Sequence, residues 1–269
     1  PFSTASPAPA PEPPAPARFD RSRSAISFLG TFEIKDRNGA DITPKFTSRT
    51  KDLLIMLILF SEKGEKGVGY QTLDEAIWGD KDEKSAKNNR NVYMRKLRLL
   101  LSDVGNADIT YEKGYYRIDP ADVTIDYHEV MTRIGDGAKG DSLSGERLEE
   151  AIELLLYGPL LPDTVYDWLD DFKSNYTATS LHILSGLLGR IGTKGDREIL
   201  YKIAETISLH DPLSEEALAV KCRILTQKRM KGVAKSAYDA FCREYERSYG
   251  EEYPVPFSQL IKRGAKDAE

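Results

Sequence analysis

From Ala25 onward the spacing of apolar positions changes along the chain, and each change marks a new element. Phe28, Leu29, Phe32 and Ile34 fit a short strand, followed by the Asn38-Gly39 pair of a tight hairpin. Further short strands are expected at Asp41–Thr43 and Lys45–Thr47. A strongly apolar helix then runs from Lys51 to Phe60, capped by Ser48 or Thr50 and ended by Gly64, Gly67 and Gly69. Thr72 caps a short helix, Leu73 to Trp78, which Gly79 stops. A third helix runs from Ser85 to Leu101, apolar on one face at Met94, Leu97 and Leu101. Two β runs, Ile109–Tyr111 and Tyr115–Ile118, flank the turn Glu112-Lys113-Gly114.

Beyond His128 the period becomes helical almost throughout. Gly145–Tyr157, Tyr166–Ile191, Arg197–Ser208, Ser214–Gln227 and Gly232–Ser248 are the expected helices, separated by Gly or Pro. A period of 34 residues pairs Leu184 with Leu218, Leu188 with Cys222, Leu200 with Ala234, Ala204 with Tyr238, and Ile207 with Phe241. Helix pairs that each bury a face on the next give such a period. The fold class that follows is an α+β winged helix-turn-helix with a small N-terminal β-sheet, then an all-α tetratricopeptide-like helical repeat domain. The expected division is a Pro/Ala-rich linker over 1–24, the winged helix over 25–128 and the repeats over 129–265.

Composition narrows the function classes. The first seventeen residues hold seven prolines and five alanines, a semi-rigid spacer that leaves room for an upstream sensor domain. The longest apolar run, Leu53 to Phe60, is far short of the ~20 residues that span a bilayer. No apolar signal core follows the N-terminus. Two cysteines, Cys222 and Cys242, with no Cys-x-x-Cys pair, exclude a disulfide framework and a zinc finger. A cytoplasmic protein is expected, whole or as the cytoplasmic part of a membrane-tethered regulator. No nucleophile or acid–base pair is set among the partners catalysis needs, so neither an enzyme nor a cofactor is expected. His128, His182 and His210 stand apart from one another and read as structural. Gly186 to Lys194 lacks the Gly-Lys-Ser/Thr of a phosphate loop and interrupts a helix, so it is rejected as one.

Net charge is −5, and neither half is basic as a whole. Yet the third helix carries Lys84, Lys87, Arg90, Arg95, Lys96 and Arg98 with no acid between Lys84 and Leu101. Six cations on one helix commonly form nothing more than a solvated face. Here an apolar face lies opposite, and the helix follows a short helix and a tight turn. That combination suits a helix in the major groove of DNA.

The run Leu73-Asp74-Glu75-Ala76-Ile77-Trp78-Gly79 with Ala86 to Arg98 resembles the OmpR/PhoB-type winged helix of SARP-like bacterial transcriptional regulators, and Tyr115-Tyr116-Arg117-Ile118 resembles its wing. Tyr157-Gly158-Pro159-Leu160-Leu161-Pro162, Tyr166-Asp167-Trp168-Leu169 and His210-Asp211-Pro212-Leu213 resemble the bacterial transcriptional activator domain (BTAD) that follows it. The resemblance spans residues 26 to 261. Departures fall at Asn89, Arg90 and Arg95, where the family usually carries threonine, an apolar residue and serine.

The resemblance implies a sequence-specific DNA-binding regulator, an activator, with double-stranded DNA as its partner. Its recognition face maps onto Lys87, Asn91, Arg95 and Arg98, with Lys84 and Asn88 beside them. Asn can pair with adenine and Arg with guanine. The division of these residues between bases and phosphates stays open, with Arg98, deeper along the helix, the phosphate candidate. Lys113 and Tyr115 are the wing candidates. Arg49 and Thr50 begin the apolar helix, whose N-terminal amides suit a phosphate. The repeats are expected to join a homodimer on paired half-sites or to contact RNA polymerase or a signalling partner. Tyr238, Phe241 and Tyr245 are either an exposed apolar edge for that dimer or simply core. The alternative is an interaction scaffold whose winged helix binds no DNA.

Overall fold

A computed structural model describes residues 20–139, 152–191 and 196–266. Its first sheet has β1 (Ala25–Ser27) in the centre, β2 (Glu33–Lys35) antiparallel on one side and β6 (Thr124–Ile125) parallel on the other. The single strand expected through Phe28–Ile34 is instead broken by a turn. Gly30 there has φ +69°, and a Cβ would come within 2.4 Å of the Tyr157 carbonyl oxygen. Phe28 and Leu29 remain buried, but their amides leave the ladder and donate to the Asp126 carboxylate at 2.7 and 3.1 Å. The Asn38-Gly39 turn is present, with Gly39 at φ +85°. The strands expected around it are not: Asp41 makes one isolated bridge to Lys35, and Thr43–Lys45 is a 3-10 turn begun by Pro44.

Next come α1 (Ser48–Lys63), β3 (Val68–Gly69), α2 (Tyr70–Trp78), α3 (Glu83–Val104), β4 (Asp108–Glu112) and β5 (Tyr115–Asp119). Every residue of α1 from Leu53 to Leu59 is buried, so this helix is apolar all round and central to the molecule. α3 begins at Asp82, whose carboxylate accepts from the Ser85 amide at 3.0 Å and the Ser85 hydroxyl at 2.6 Å. The second sheet has the order β3-β5-β4. Its hairpin turns at Lys113 (φ +49°) and Gly114 (φ +90°), the two positive angles that match the twist of the flanking strands.

The helical part consists of α4 (Asp126–Lys139), helical residues 152–155, α5 (Asp167–Ile191), α6 (Arg197–His210), α7 (Glu215–Gln227), α8 (Lys231–Tyr249) and α9 (Phe257–Lys266). The beginning of the helix expected at Gly145 lies outside the described residues. Neither α4 nor α9 was signalled by the sequence. Each pair of positions related by the 34-residue period is buried in both members. No helix among the described residues is long and apolar enough to cross a membrane.

The halves share one core. A continuous buried cluster runs from Ile26 in β1 through α1 to Ile224 in α7. The seam is knit by backbone bonds, Gly30 N to Pro159 O at 2.9 Å and Leu161 N to Phe28 O at 2.8 Å. The Tyr166 hydroxyl donates to buried Asp52 on α1 at 2.6 Å, and Phe60 meets Phe172 edge-on at 5.1 Å. A second cluster joins α7, α8 and α9. There the expectation of an exposed aromatic edge is overturned. After Gly250 the chain turns back, and Tyr253, Val255 and Leu260 cover Tyr238 and Phe241, which are buried.

Candidate nucleic-acid interface

α3 has two faces. Ala86, Arg90, Met94, Leu97, Leu101 and Val104 are buried against α1, α2 and the wing sheet. Lys84, Lys87, Asn88, Asn91, Arg95, Lys96 and Arg98 are exposed. The helix thus brings every expected α3 side chain to one solvent-facing ridge, with one correction to the cationic run. Arg90 points inward, pairing with Asp74 of α2 between the rings of Tyr70 and Tyr116. Its spacing from Ala86 and Met94 puts it on the apolar stripe, and charge alone does not move it off.

Arg98 is already tied to the wing, one Nη donating to the Ile109 carbonyl at 2.8 Å, so it also sets how β4 leaves the helix. Val92 and Leu99 are the residues that charge counting overlooked. Both are apolar yet 53% and 64% exposed within the ridge, where a branched side chain suits the methyl group of thymine.

At the wing, Lys113 is fully extended into solvent beside Glu112, with Nζ 3.2 Å from the carboxylate, and Tyr115 is 40% exposed. An open depression of about 500 Å³ lies alongside, lined by Lys66, Thr110, Lys113, Tyr115 and Arg117 together with Glu65 and Glu112. Arg117 follows Tyr115 by two on the exposed face of β5, whereas Lys66 joins the wing cations only through the fold.

The first turn of α1 splits the last pair of candidates. Arg49 is exposed, but Thr50 is buried and its hydroxyl donates to the Thr47 carbonyl at 2.8 Å. The cap is Thr47, and the Thr50 side chain has no reach outward. Threonine at the start of a helix is favoured for capping, and this one turned inward because Leu53, Leu54 and Leu57 share its face.

The fold is one already seen in a solved structure. Mycobacterium tuberculosis EmbR, in complex with a low-affinity phosphopeptide, superposes with a TM-score of 0.52 at 19% identity, over 91% of this chain and 65% of the EmbR chain. The chain has an EmbR-like fold. At that identity the likeness is one of fold, and the chain spans about 65% of the EmbR chain's length. No family model matches the sequence, and no curated protein does.

The motifs of the second half make structural contacts in this fold. Tyr157 lies under the Arg21 guanidinium at 4.0 Å, and Gly158 adopts φ +106°. Pro159 and Leu161 make the seam bonds, and Tyr166 stacks on Trp168 at 5.6 Å while reaching Asp52. Within the helical half, His210 Nε2 lies 3.0 Å from the Leu155 carbonyl. Tyr157, Pro159, Leu161 and Tyr166 are the joint between the halves.

Asp126 lies at the centre of that joint. It is wholly buried, accepts from the amides of Phe28, Leu29 and Tyr127, and lies 3.2 Å from Arg21. Burial lifts its carboxyl to about 6, against the pull of the Phe28 amide, Arg21 and the other two amides. His128 contacts Glu62 at 2.5 Å, and that carboxylate raises its pKa. His182 is exposed. Among the described residues no cluster of His, Cys, Asp or Glu is arranged to hold a metal ion.

Proposed function

We propose that this protein is a sequence-specific DNA-binding transcriptional regulator, acting as an activator. In this reading α3 enters the major groove and the wing meets the flanking backbone. The helical repeats serve oligomerisation on paired sites or contact with RNA polymerase or a signalling partner.

The observation that carries the reading is the α3 ridge. A chain of net charge −5 concentrates Lys84, Lys87, Arg95, Lys96 and Arg98 on one exposed face without an acid from Lys84 to Leu101. Asn88, Asn91 and Val92 stand among them, so the ridge offers phosphate-binding, hydrogen-bonding and methyl-contacting groups together. Asp80, Asp82 and Glu83 lie just before it, at the α2–α3 turn. They confine the attraction to the helix proper.

Titration against genomic DNA fragments at increasing salt tests the reading. With about five phosphates neutralised, log K falls against log salt with a slope of about −4 to −5. Absence of binding at low salt, or an affinity indifferent to salt, returns the protein to the interaction-scaffold class.

A further inference from the structure

Arg90 is placed like no other cation of α3. It stands amid the cationic run yet is 5% exposed, and its guanidinium meets the Asp74 carboxylate on α2. The same group lies 5.0 Å over the ring of Tyr70, the first residue of α2, and 6.0 Å from the ring of Tyr116 on β5. One side chain therefore touches both helices of the helix-turn-helix and the middle strand of the wing sheet. Leu73, Ile77 and Met94 around it are buried and apolar.

As a source of stability the pair is a poor choice. Asp74 Oδ1 and Arg90 Nε are buried without a hydrogen-bond partner, and desolvation of two charges offsets most of their attraction. Replacing a buried ion pair by apolar residues of similar volume is often neutral or stabilising. What the charged pair adds is direction. A planar guanidinium held by a carboxylate and faced by two rings tolerates fewer orientations than methyl groups do.

We infer that Arg90 and Asp74 are positioning residues, fixing the angle of the α3 ridge to the wing so that Asn91, Arg95 and Lys113 engage one DNA site together. The DNA half of this statement rests on the function proposed above, and the geometric half does not.

The test is the double variant Asp74→Leu/Arg90→Val in the full chain. Single Arg90→Val strands the Asp74 carboxylate and loses stability, so it serves only as a folding control. The double variant is expected to melt at the wild-type temperature or above. Its amides in α3 and β5 are expected to exchange hydrogen at least tenfold faster than in the wild type. Its affinity for a selected site over random DNA is expected to drop at least tenfold, with the salt slope unchanged. Exchange at the wild-type rate overturns the inference, whatever the DNA result. Exchange that is faster, in a wild-type background that selects no DNA site, upholds the pin and removes the proposed function instead.

Discussion

Within α3 a shift of one position decides whether a cation faces solvent or core. Arg90 follows Ala86 by four and precedes Met94 by four, so it belongs to the buried stripe, while Asn91 and Arg95 belong to the ridge. The ridge was therefore legible in the spacing of its neighbours, and so was the burial of Arg90, once position is weighed above charge. The inward turn of Thr50 had the same signal in its distance from Leu53 and Leu54. Arg117 had one in its two-residue spacing from Tyr115, and Lys66 had none, since only the fold brings the 64–67 loop to the wing. On the ridge, Asn91→Ala and Arg95→Ala are each expected to cost about 1–3 kcal/mol at the base pair they read, and to change the preferred base there. Competition binding against single-base variants of the site measures this. Equal weakening on specific and random DNA instead places both side chains on phosphates. A second residue-scale prediction concerns Asp126. With its carboxyl raised from the ordinary 3.8 to about 6, the folded state holds a proton that the unfolded chain has lost over that interval. Stability from this group is therefore full below about pH 4 and falls as pH rises through 6. Urea unfolding of wild type and Asp126→Asn across that range is expected to show the difference shrinking as pH rises. A pH-independent difference contradicts it.

At the scale of elements, helices with long apolar stripes were easy to find and short strands were not. α1, α3, α5, α7 and α8 lie within a few residues of their expected bounds, because a 3.6-residue period repeated over several turns is a strong signal. β1, β2 and β6 are two or three residues long, and β1 and β6 pair across about a hundred residues of sequence. β6 exists because it lies beside β1, and the turn at Gly30 exists because Tyr157 lies against it. Neither cause is local. α9 has a related cause: Pro254 and Pro256 interrupt the helical pattern, yet they carry the chain back across α8. That return makes a prediction. Removing residues 251–269 strips Tyr253, Val255 and Leu260 from Tyr238 and Phe241, and exposed aromatic patches associate. Sedimentation of the shortened chain is expected to show concentration-dependent association that the complete chain does not share. Monodisperse behaviour of both means that the α7–α8 edge needs no cover.

As a whole molecule, this is a winged helix built into a helical stack, sharing a core with it. Asp126, Tyr166, Pro159 and Leu161 bind the first sheet and α1 to the repeats, so the division expected at residue 128 falls inside α4. The orientation of the α3 ridge relative to the repeats is thereby set by buried contacts. The central claim is that the exposed face of α3 selects DNA by sequence. Selection of bound fragments from genomic DNA, run in parallel with the wild type and with the Lys87→Ala/Asn91→Ala/Arg95→Ala variant, tests it most directly. The wild type is expected to enrich a short shared site, and the variant to lose it or shift it while keeping the wild-type fold. No enrichment by the wild type at low salt, or the same site enriched by both proteins, contradicts the claim.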